Sequence, residues 1–286
     1  MSTHSATQVD NLLCRRSLIG AATKSAGTKA FSLIEIMVAV ALMTIIMLGL
    51  VAMFYQTQRA MRAGHAQVDV MGTGDAAIRM MADELKQVIA AGNYYYTNLE
   101  ATTAYAPLFW TRNFSISRSP QATYLQELFF LRQENDSWIG TGYFVDAVTQ
   151  SGGAGTLYRF EHRESVTRSN ALKVIYDQWK TAKTTSVPRL AERIAHLRLF
   201  AFDADGNSYD SNPYFGKNSN LWFTETNLPS YVDLEIGVIE PRPYDRFKAR
   251  YDTNNPASAG VAFAYLTNQL DRLHLFRRRI PIRTVQ

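Results

Sequence analysis

The sequence predicts an α+β protein: one long N-terminal helix, membrane-spanning at its start, followed by a β-rich globular domain. Three observations predict it. Residues 36–54, IMVAVALMTIIMLGLVAMF, run for nineteen positions without an ionisable side chain. Residues 75–90 keep apolar side chains at helical spacing with charges between them. Beyond Asn93, aromatic and β-branched clusters of strand length alternate with Gly, Pro, Asn, Asp and Ser. The expected organisation is a basic segment over 1–30, an apolar helix over 31–54, its polar-faced continuation over 55–92, and a globular domain over 93–286.

The net charge of +5 is unevenly spread. Arg15, Arg16, Lys24 and Lys29 oppose only Asp10 in the first thirty residues, which carry +3 and leave +2 for the rest. That surplus is too small for a nucleic-acid surface, so no nucleic-acid partner is expected. The single cysteine, Cys14, lies in the basic segment. The remainder therefore has neither a disulfide framework nor a cysteine-based metal site.

As a helix rising about 1.5 Å per residue, the apolar run spans about 28 Å, close to the ~30 Å hydrocarbon core of a bilayer. A buried helix of a soluble domain is the alternative, but such helices are rarely apolar on every face. Lys24 and Lys29 precede the run and are expected to stay cytoplasmic, with the C-terminal bulk exported. A secretory signal would place its small residues after the apolar core. Here Ser25-Ala26-Gly27-Thr28-Lys29-Ala30 come before it. Glu35 lies at the start of the run, where a carboxylate costs on the order of 2–3 kcal/mol and calls for a partner. Arg15-Arg16-Ser17-Leu18 has the look of a twin-arginine signal, but no long apolar core follows directly. Leu12-Leu13-Cys14 lacks the apolar stretch that lipidation needs.

Lys29-Ala30-Phe31-Ser32-Leu33-Ile34-Glu35-Ile36 resembles the cleavage and methylation motif of type IV prepilins, usually Gly-Phe-Thr-Leu-Ile-Glu ahead of a hydrophobic helix. Ala30 stands where Gly is the rule. The resemblance implies a type IV pilin-like fold and a prepilin peptidase that cuts between Ala30 and Phe31 and N-methylates the new terminus. It also implies residence in the bacterial inner membrane with the globular domain periplasmic, before assembly into a pilus or pseudopilus. The implied partners are that peptidase, other pilin or pseudopilin subunits, an inner-membrane assembly platform and membrane lipid. Glu35 would then meet the α-amino group of a neighbouring Phe31, a pairing that makes subunit register selective.

Past Tyr55 the helix is expected to continue, with Gly64, Gly72 and Gly74 as places to bend and Gly92 as its end. Ala77, Met80, Met81, Leu85, Val88 and Ile89 form the stripe that packs on the globular domain. Expected strands are 94–96, 125–132, 138–145, 157–162, 194–203, 231–240 and 273–283, with 127–132 and 140–145 forming a hairpin. A short helix is expected near 168–182 or 187–195. Residues 151–155 read as a flexible loop, and 210–220 and 251–260 as polar loops.

A second resemblance covers this half. Leu197 to Asn207, Leu228-Pro229-Ser230-Tyr231-Val232-Asp233-Leu234-Glu235 and Phe276-Arg277-Arg278-Arg279-Ile280-Pro281 follow the order seen in the J-type minor pseudopilins of type II secretion. There a strand ending in an Asp-Gly turn precedes a Leu-Pro-led strand and a closing basic strand. The Trp common soon after that turn is missing. The layout is also similar to the pilin-like proteins of Verru_Chthon cassettes.

Asp203, Asp205 and Asn207 around Gly206 are calcium candidates. The EF-hand spacing fails, because Gly206 as position six puts Ala201 at one and Asn212 at twelve. An Asp-Gly hairpin turn explains the same residues without a metal. No other cofactor is expected. His65, His162, His196 and His274 are scattered, and no Gly-x-Ser-x-Gly elbow frames a serine. Arg277 and Arg279 would share one strand face, read as a solvated edge. The sequence therefore predicts a structural assembly subunit and no enzyme. The alternative is a single-pass, membrane-anchored periplasmic sensor or ligand-binding protein.

Overall fold

The computed structural model describes residues 31–105, 108–111, 120–149, 152–181, 187–209, 220–255 and 257–282. Cys14 and Ala30, and most of the loop expected at 210–220, lie outside the described residues. The protein is α+β. Its elements are α1 (Leu33–Leu85), β1 (Asn93–Thr103), β2 (Leu108–Thr111), β3 (Pro120–Thr123), β4 (Gln126–Glu134), β5 (Ser137–Thr149), β6 (Gly152–Ser165), α2 (Ala171–Thr181), β7 (Arg189–Phe202), β8 (Leu221–Glu225), β9 (Tyr231–Ile239), α3 (Pro241–Arg250), α4 (Ser258–Thr267) and β10 (Leu273–Pro281), with a 3-10 turn at Leu270–Arg272. The chain divides into two compact units, one ending at Thr57 and one over Gln58–Gln286.

In the first unit, every residue from Phe31 to Thr57 is exposed. This part of α1 is long and apolar enough to cross a membrane. A run of exposed aliphatic side chains on all faces is unfavourable in water and suits a lipid or helix-bundle surrounding.

The second unit is built on an eight-stranded sheet in the order β10-β9-β7-β6-β5-β4-β1-β8, with antiparallel neighbours throughout. β2 and β3 form a separate two-stranded ribbon. The expected hairpin is β4–β5, closed by Asn135-Asp136 between the paired Glu134 and Ser137, with Asn135 at φ 50°. Asn tolerates that left-handed conformation in two-residue hairpins, so the turn fixes the register of both strands.

Strand alternation gives the sheet two buried faces. On one, Leu128, Phe130, Tyr143, Val145, Leu157, Leu199, Val232, Leu234 and Ile236 meet the α1 stripe of Val70, Ala77, Ile78, Met81, Ala82 and Leu85. Met80, placed in that stripe by spacing, is exposed instead. Gly74 lies so close to the Phe276 ring that a Cβ there would stand 2.1 Å from it. The opposite face has two smaller clusters. Ile175 and Trp179 of α2 pack on Phe129, Leu131, Phe144 and Phe160. Tyr244 and Phe247 of α3 join Ala262 and Leu266 of α4 over Ala154, Ala195 and Ile239.

A polar clamp fastens the end of α1. Glu84 accepts hydrogen bonds from Arg159 (2.6 and 3.0 Å) and from the Tyr143 hydroxyl. Arg159 also pairs with Glu161, which takes a second bond from Arg132 at 2.8 Å. Arg132 Nη1 reaches Gln87 Oε1 at 3.2 Å just past the helix end. Burial, then the Glu84 carboxylate, push the Tyr143 phenol well above its ordinary range. Burial is the largest influence on Glu161 and penalises its charge, yet the Arg159 hydrogen bond and the charges of Arg159, Arg132 and Arg163 together outweigh it and hold the carboxyl low. Partly buried charges of both signs thus satisfy one another.

Several expectations need correction. The helix ends at Leu85, and Ile89 donates its backbone N–H to Leu131 O of β4 (3.0 Å) instead of continuing the helix. Gly92, with φ 65°, marks the entry to β1 instead. The short helix lies at 171–181, whereas 187–195 feeds β7. Residues 152–155 belong to β6 and are buried. Gly152 and Gly153 take φ values of 107° and 101°, which side chains resist, and a Cβ on Gly153 would stand 2.9 Å from Phe247 and Phe263. Gly153 admits the aromatic rings of the α3–α4 layer, and Gly152 admits Tyr105. The loop expected at 251–260 contains the start of α4, and α3 lies just before it.

Gly142 leaves its Cβ position to the Trp179 ring, 2.3 Å away, between Phe129 and Phe144. Gly142→Ala is expected to overpack this cluster and cost about 1–3 kcal/mol. A lowered melting temperature by tryptophan fluorescence checks it; an unchanged one contradicts this packing.

Candidate functional site

The first turn of α1 is closed by a capping box. Ser32 is the residue before the helix, and its Oγ accepts the N–H of Ile34 at 3.3 Å. Glu35 reaches back, and its Oε2 accepts the N–H of Ser32 at 3.2 Å. Ser32 O takes the N–H groups of Glu35 (3.0 Å) and Ile36 (3.3 Å). Otherwise orphaned amides at the helix start are thus satisfied by side chains. The Ser-x-x-Glu spacing was present in the sequence and signals this cap. Reading Glu35 only as a membrane charge missed it.

The cap has a chemical consequence. It places a carboxylate beside the backbone of Phe31–Ser32, at the positive end of the helix dipole. Phe31 itself is exposed. Among the described residues only Glu35 Oε2 is engaged, by one neutral amide, so the group retains acceptor capacity for a cation. Ala30, expected to precede the cut, lies outside the described residues, whereas Phe31 and Glu35 stand together at the head of the helix.

Asp203, Asp205 and Asn207 form a compact turn after β7. Asp203 Oδ1 accepts the backbone N–H groups of Asp205 (3.0 Å) and Asn207 (2.7 Å), and Oδ2 accepts Asn207 Nδ2 at 3.0 Å. Gly206, with φ 86°, turns the chain, and Asp203 N bonds Asn207 O. Hydrogen bonds from the Asn207 side chain and backbone hold the Asp203 carboxyl below its usual range. The Asp203 carboxylate thus already serves three amide donors. Among the described residues, no three of His, Cys, Asp and Glu are grouped to hold a metal.

The third feature lies on β7, β9 and β10, the strands that carry most of the second sequence resemblance. Alternation puts Arg277 and Arg279 on one face, as expected, but they are not simply solvated. Asp233, buried on β9 between β10 and β7, accepts Arg277 Nη2 at 2.7 Å and Arg279 Nε and Nη2 at 2.8 and 3.0 Å. Arg279 also covers the Tyr231 ring at 4.6 Å, and Arg198 stacks over Tyr124 and Phe200 at 4.2 Å each. Next along β9, Glu235 lies 3.4 Å from Nε2 of the buried His196, whose Nδ1 accepts the Tyr124 N–H at 3.1 Å. This surface binds its own charges internally. Asp233 and Glu235 in the otherwise uncharged run Tyr231–Ile239 were the sequence signal that cations cross from neighbours; which strands supply them required the topology.

Asp233 gives this region its pH dependence. The hydrogen bond from Arg279, against burial and with help from Arg277, holds its carboxyl below the ordinary range. A carboxylate depressed in the folded state contributes its stability above the unfolded value, about pH 4, and loses it as pH falls through the folded one. Asp233→Asn is expected to cost about 1.5–3 kcal/mol at neutral pH and to flatten the acid limb. Urea midpoints taken from neutral pH to about pH 2 check this; parallel curves for both chains would contradict it.

Compared with family models, curated proteins and solved structures, the chain matches none.

Proposed function

We propose that this chain is a minor pilin- or pseudopilin-like structural subunit. A prepilin peptidase removes residues 1–30 and exposes Phe31. The apolar start of α1 then holds the protein in the bacterial inner membrane with its second unit in the periplasm. Assembly into a type IV pilus or a type II secretion pseudopilus exchanges lipid contacts for helix–helix contacts. The outward role is mechanical, and no catalytic step is assigned.

One observation carries the reading: a single carboxylate, Glu35, is fixed at the head of a helix that is otherwise free of charge through Phe54 and exposed on every side. A lone acid there is costly in lipid unless a cation meets it. A neighbouring subunit's new α-amino group is a cation of the right size at the right depth. Its arrival neutralises Glu35, and a subunit slipped by one turn leaves both groups unpaired. The three segments that resemble J-type pseudopilins add support, since β7, β9 and β10 are consecutive neighbours in the sheet.

Two measurements test the proposal. Mass spectrometry of the protein from its native host is expected to find N-methylated Phe31 at the terminus. A retained leader would leave a membrane-anchored module as the better reading. The second separates capping from charge, because Gln serves a capping box as Glu does. Glu35→Gln and Glu35→Ala are both expected to reduce incorporation into filaments by about tenfold, the effect of one lost interaction of ~1.4 kcal/mol. Rescue by Gln would show that the hydrogen bond matters and the charge does not.

A further inference from the structure

Just beyond the apolar run, α1 contributes to a cleft of about 380 Å³ in the second unit. Its walls carry Arg59 and Arg62 from α1, Arg242 from α3, Arg272 from the 3-10 turn, His274 from β10, and one carboxylate, Glu240. We propose that this cleft binds the phosphate-bearing anionic headgroup of a membrane lipid.

Charge is the first argument. Four arginines face one glutamate, and that glutamate is shared between Arg272 and His274 at 3.7 Å each, too long for strong hydrogen bonds. Arg62 donates to Gln58 Oε1 at 3.1 Å, a neutral partner. The surplus is positive and gathered in a concavity, where low-dielectric walls focus the field. Guanidinium groups from separate elements suit a phosphate, because each presents paired N–H donors to two of its oxygens. Elsewhere the unit treats its arginines differently: Arg159, Arg277 and Arg279 each meet a carboxylate at 3.0 Å or less. In the cleft, four arginines stand beside one acid.

Position is the second argument. Arg59 follows Phe54 by five residues in the continuous helix α1, a rise of about 7–8 Å. Even a fully extended chain of that length reaches only about 18 Å. Whatever angle the two units adopt, Arg59 is tethered within reach of the headgroup layer that flanks the ~30 Å hydrocarbon core. Tyr55, exposed between the apolar run and Arg59, is of the residue type that sits at this boundary. Proximity selects lipid over free phosphate, since the leaflet offers its headgroups at high local concentration. The occupied cleft would bring the second unit down onto the membrane and fix its orientation before any assembly. This inference rests on the helix lying in a bilayer and not on the filament reading, so each can fail alone.

The test uses the full chain in non-ionic detergent, with bound lipid counted by native mass spectrometry. Phosphatidylglycerol is expected to occupy one saturable site about tenfold more tightly than phosphatidylcholine. Each arginine near an anionic surface contributes about fivefold, so Arg62→Gln with Arg272→Gln is expected to weaken phosphatidylglycerol binding about 25-fold. A control that removes two arginines at and just beyond the far end of β6, Arg163→Gln with Arg168→Gln, is expected to leave it unchanged. Equal binding of the two lipids, or equal losses in both double variants, would overturn the proposal. Displacement of phosphatidylglycerol by an equal concentration of inorganic phosphate would also overturn it and assign the cleft to a free anion.

Discussion

The constraint on which the rest depends is the exposure of the apolar start of α1. Fourteen large hydrophobic side chains between Ile36 and Phe54 face outward. At about 1.5–3 kcal/mol each, covering them is worth roughly 20–40 kcal/mol. The whole net stability of a domain is about 5–15 kcal/mol. No contact within the second unit competes with a term of that size. The chain's physical state is therefore set by what surrounds this helix, and the sheet domain is cargo on an element that must find lipid or other helices.

The second unit is built to grip the same helix at its other end. From Val70 onward α1 stops being exposed on all faces and presents one apolar stripe to the sheet. Packing alone fixes depth but not rotation or sliding, since aliphatic contacts are non-directional. The Glu84–Arg159–Tyr143 clamp supplies direction, because its bonds form at only one register. Phe276 against Gly74 adds a steric key. One continuous helix thus has a promiscuous half and a specified half, with the polar stretch after Tyr55 between them.

Much of this was legible in the sequence because strands and membrane helices declare themselves locally. Clusters such as Leu128-Phe129-Phe130-Leu131 are flanked by turn formers, and their alternation assigns each side chain to a face. What stayed hidden depended on distant partners. Val88 and Ile89 continue the helical spacing, yet the Ile89 N–H is claimed by Leu131, forty-two residues away in the chain. Residues 152–155 look like a loop until Phe247 and Phe263 are seen to need the missing side chain of Gly153. α3 begins Pro241-Arg242-Pro243 and is so polar that its anchors, Tyr244 and Phe247, stand out only beside α4. At the N-terminal site, Glu35 was identified from its improbable setting. Its bond to Ser32 was equally readable but was masked by the stronger membrane signal. The pairing of Asp233 with two arginines needed the topology, since forty-four residues separate Asp233 from Arg277.

The outer strands carry a last consequence. β10 closes one side of the sheet and holds three successive arginines and Pro281, while β8 closes the other with only five residues. An open sheet border invites foreign strands to dock and spread as fibrous aggregate. Here a newcomer along β10 would have to strip water from a row of guanidinium groups, and along β8 it would find little length to copy. Uncontrolled stacking of the sheets is thereby discouraged at both borders. The domain can be crowded at high local density and remain discrete, so that any ordered polymer of this chain takes its direction from the helix.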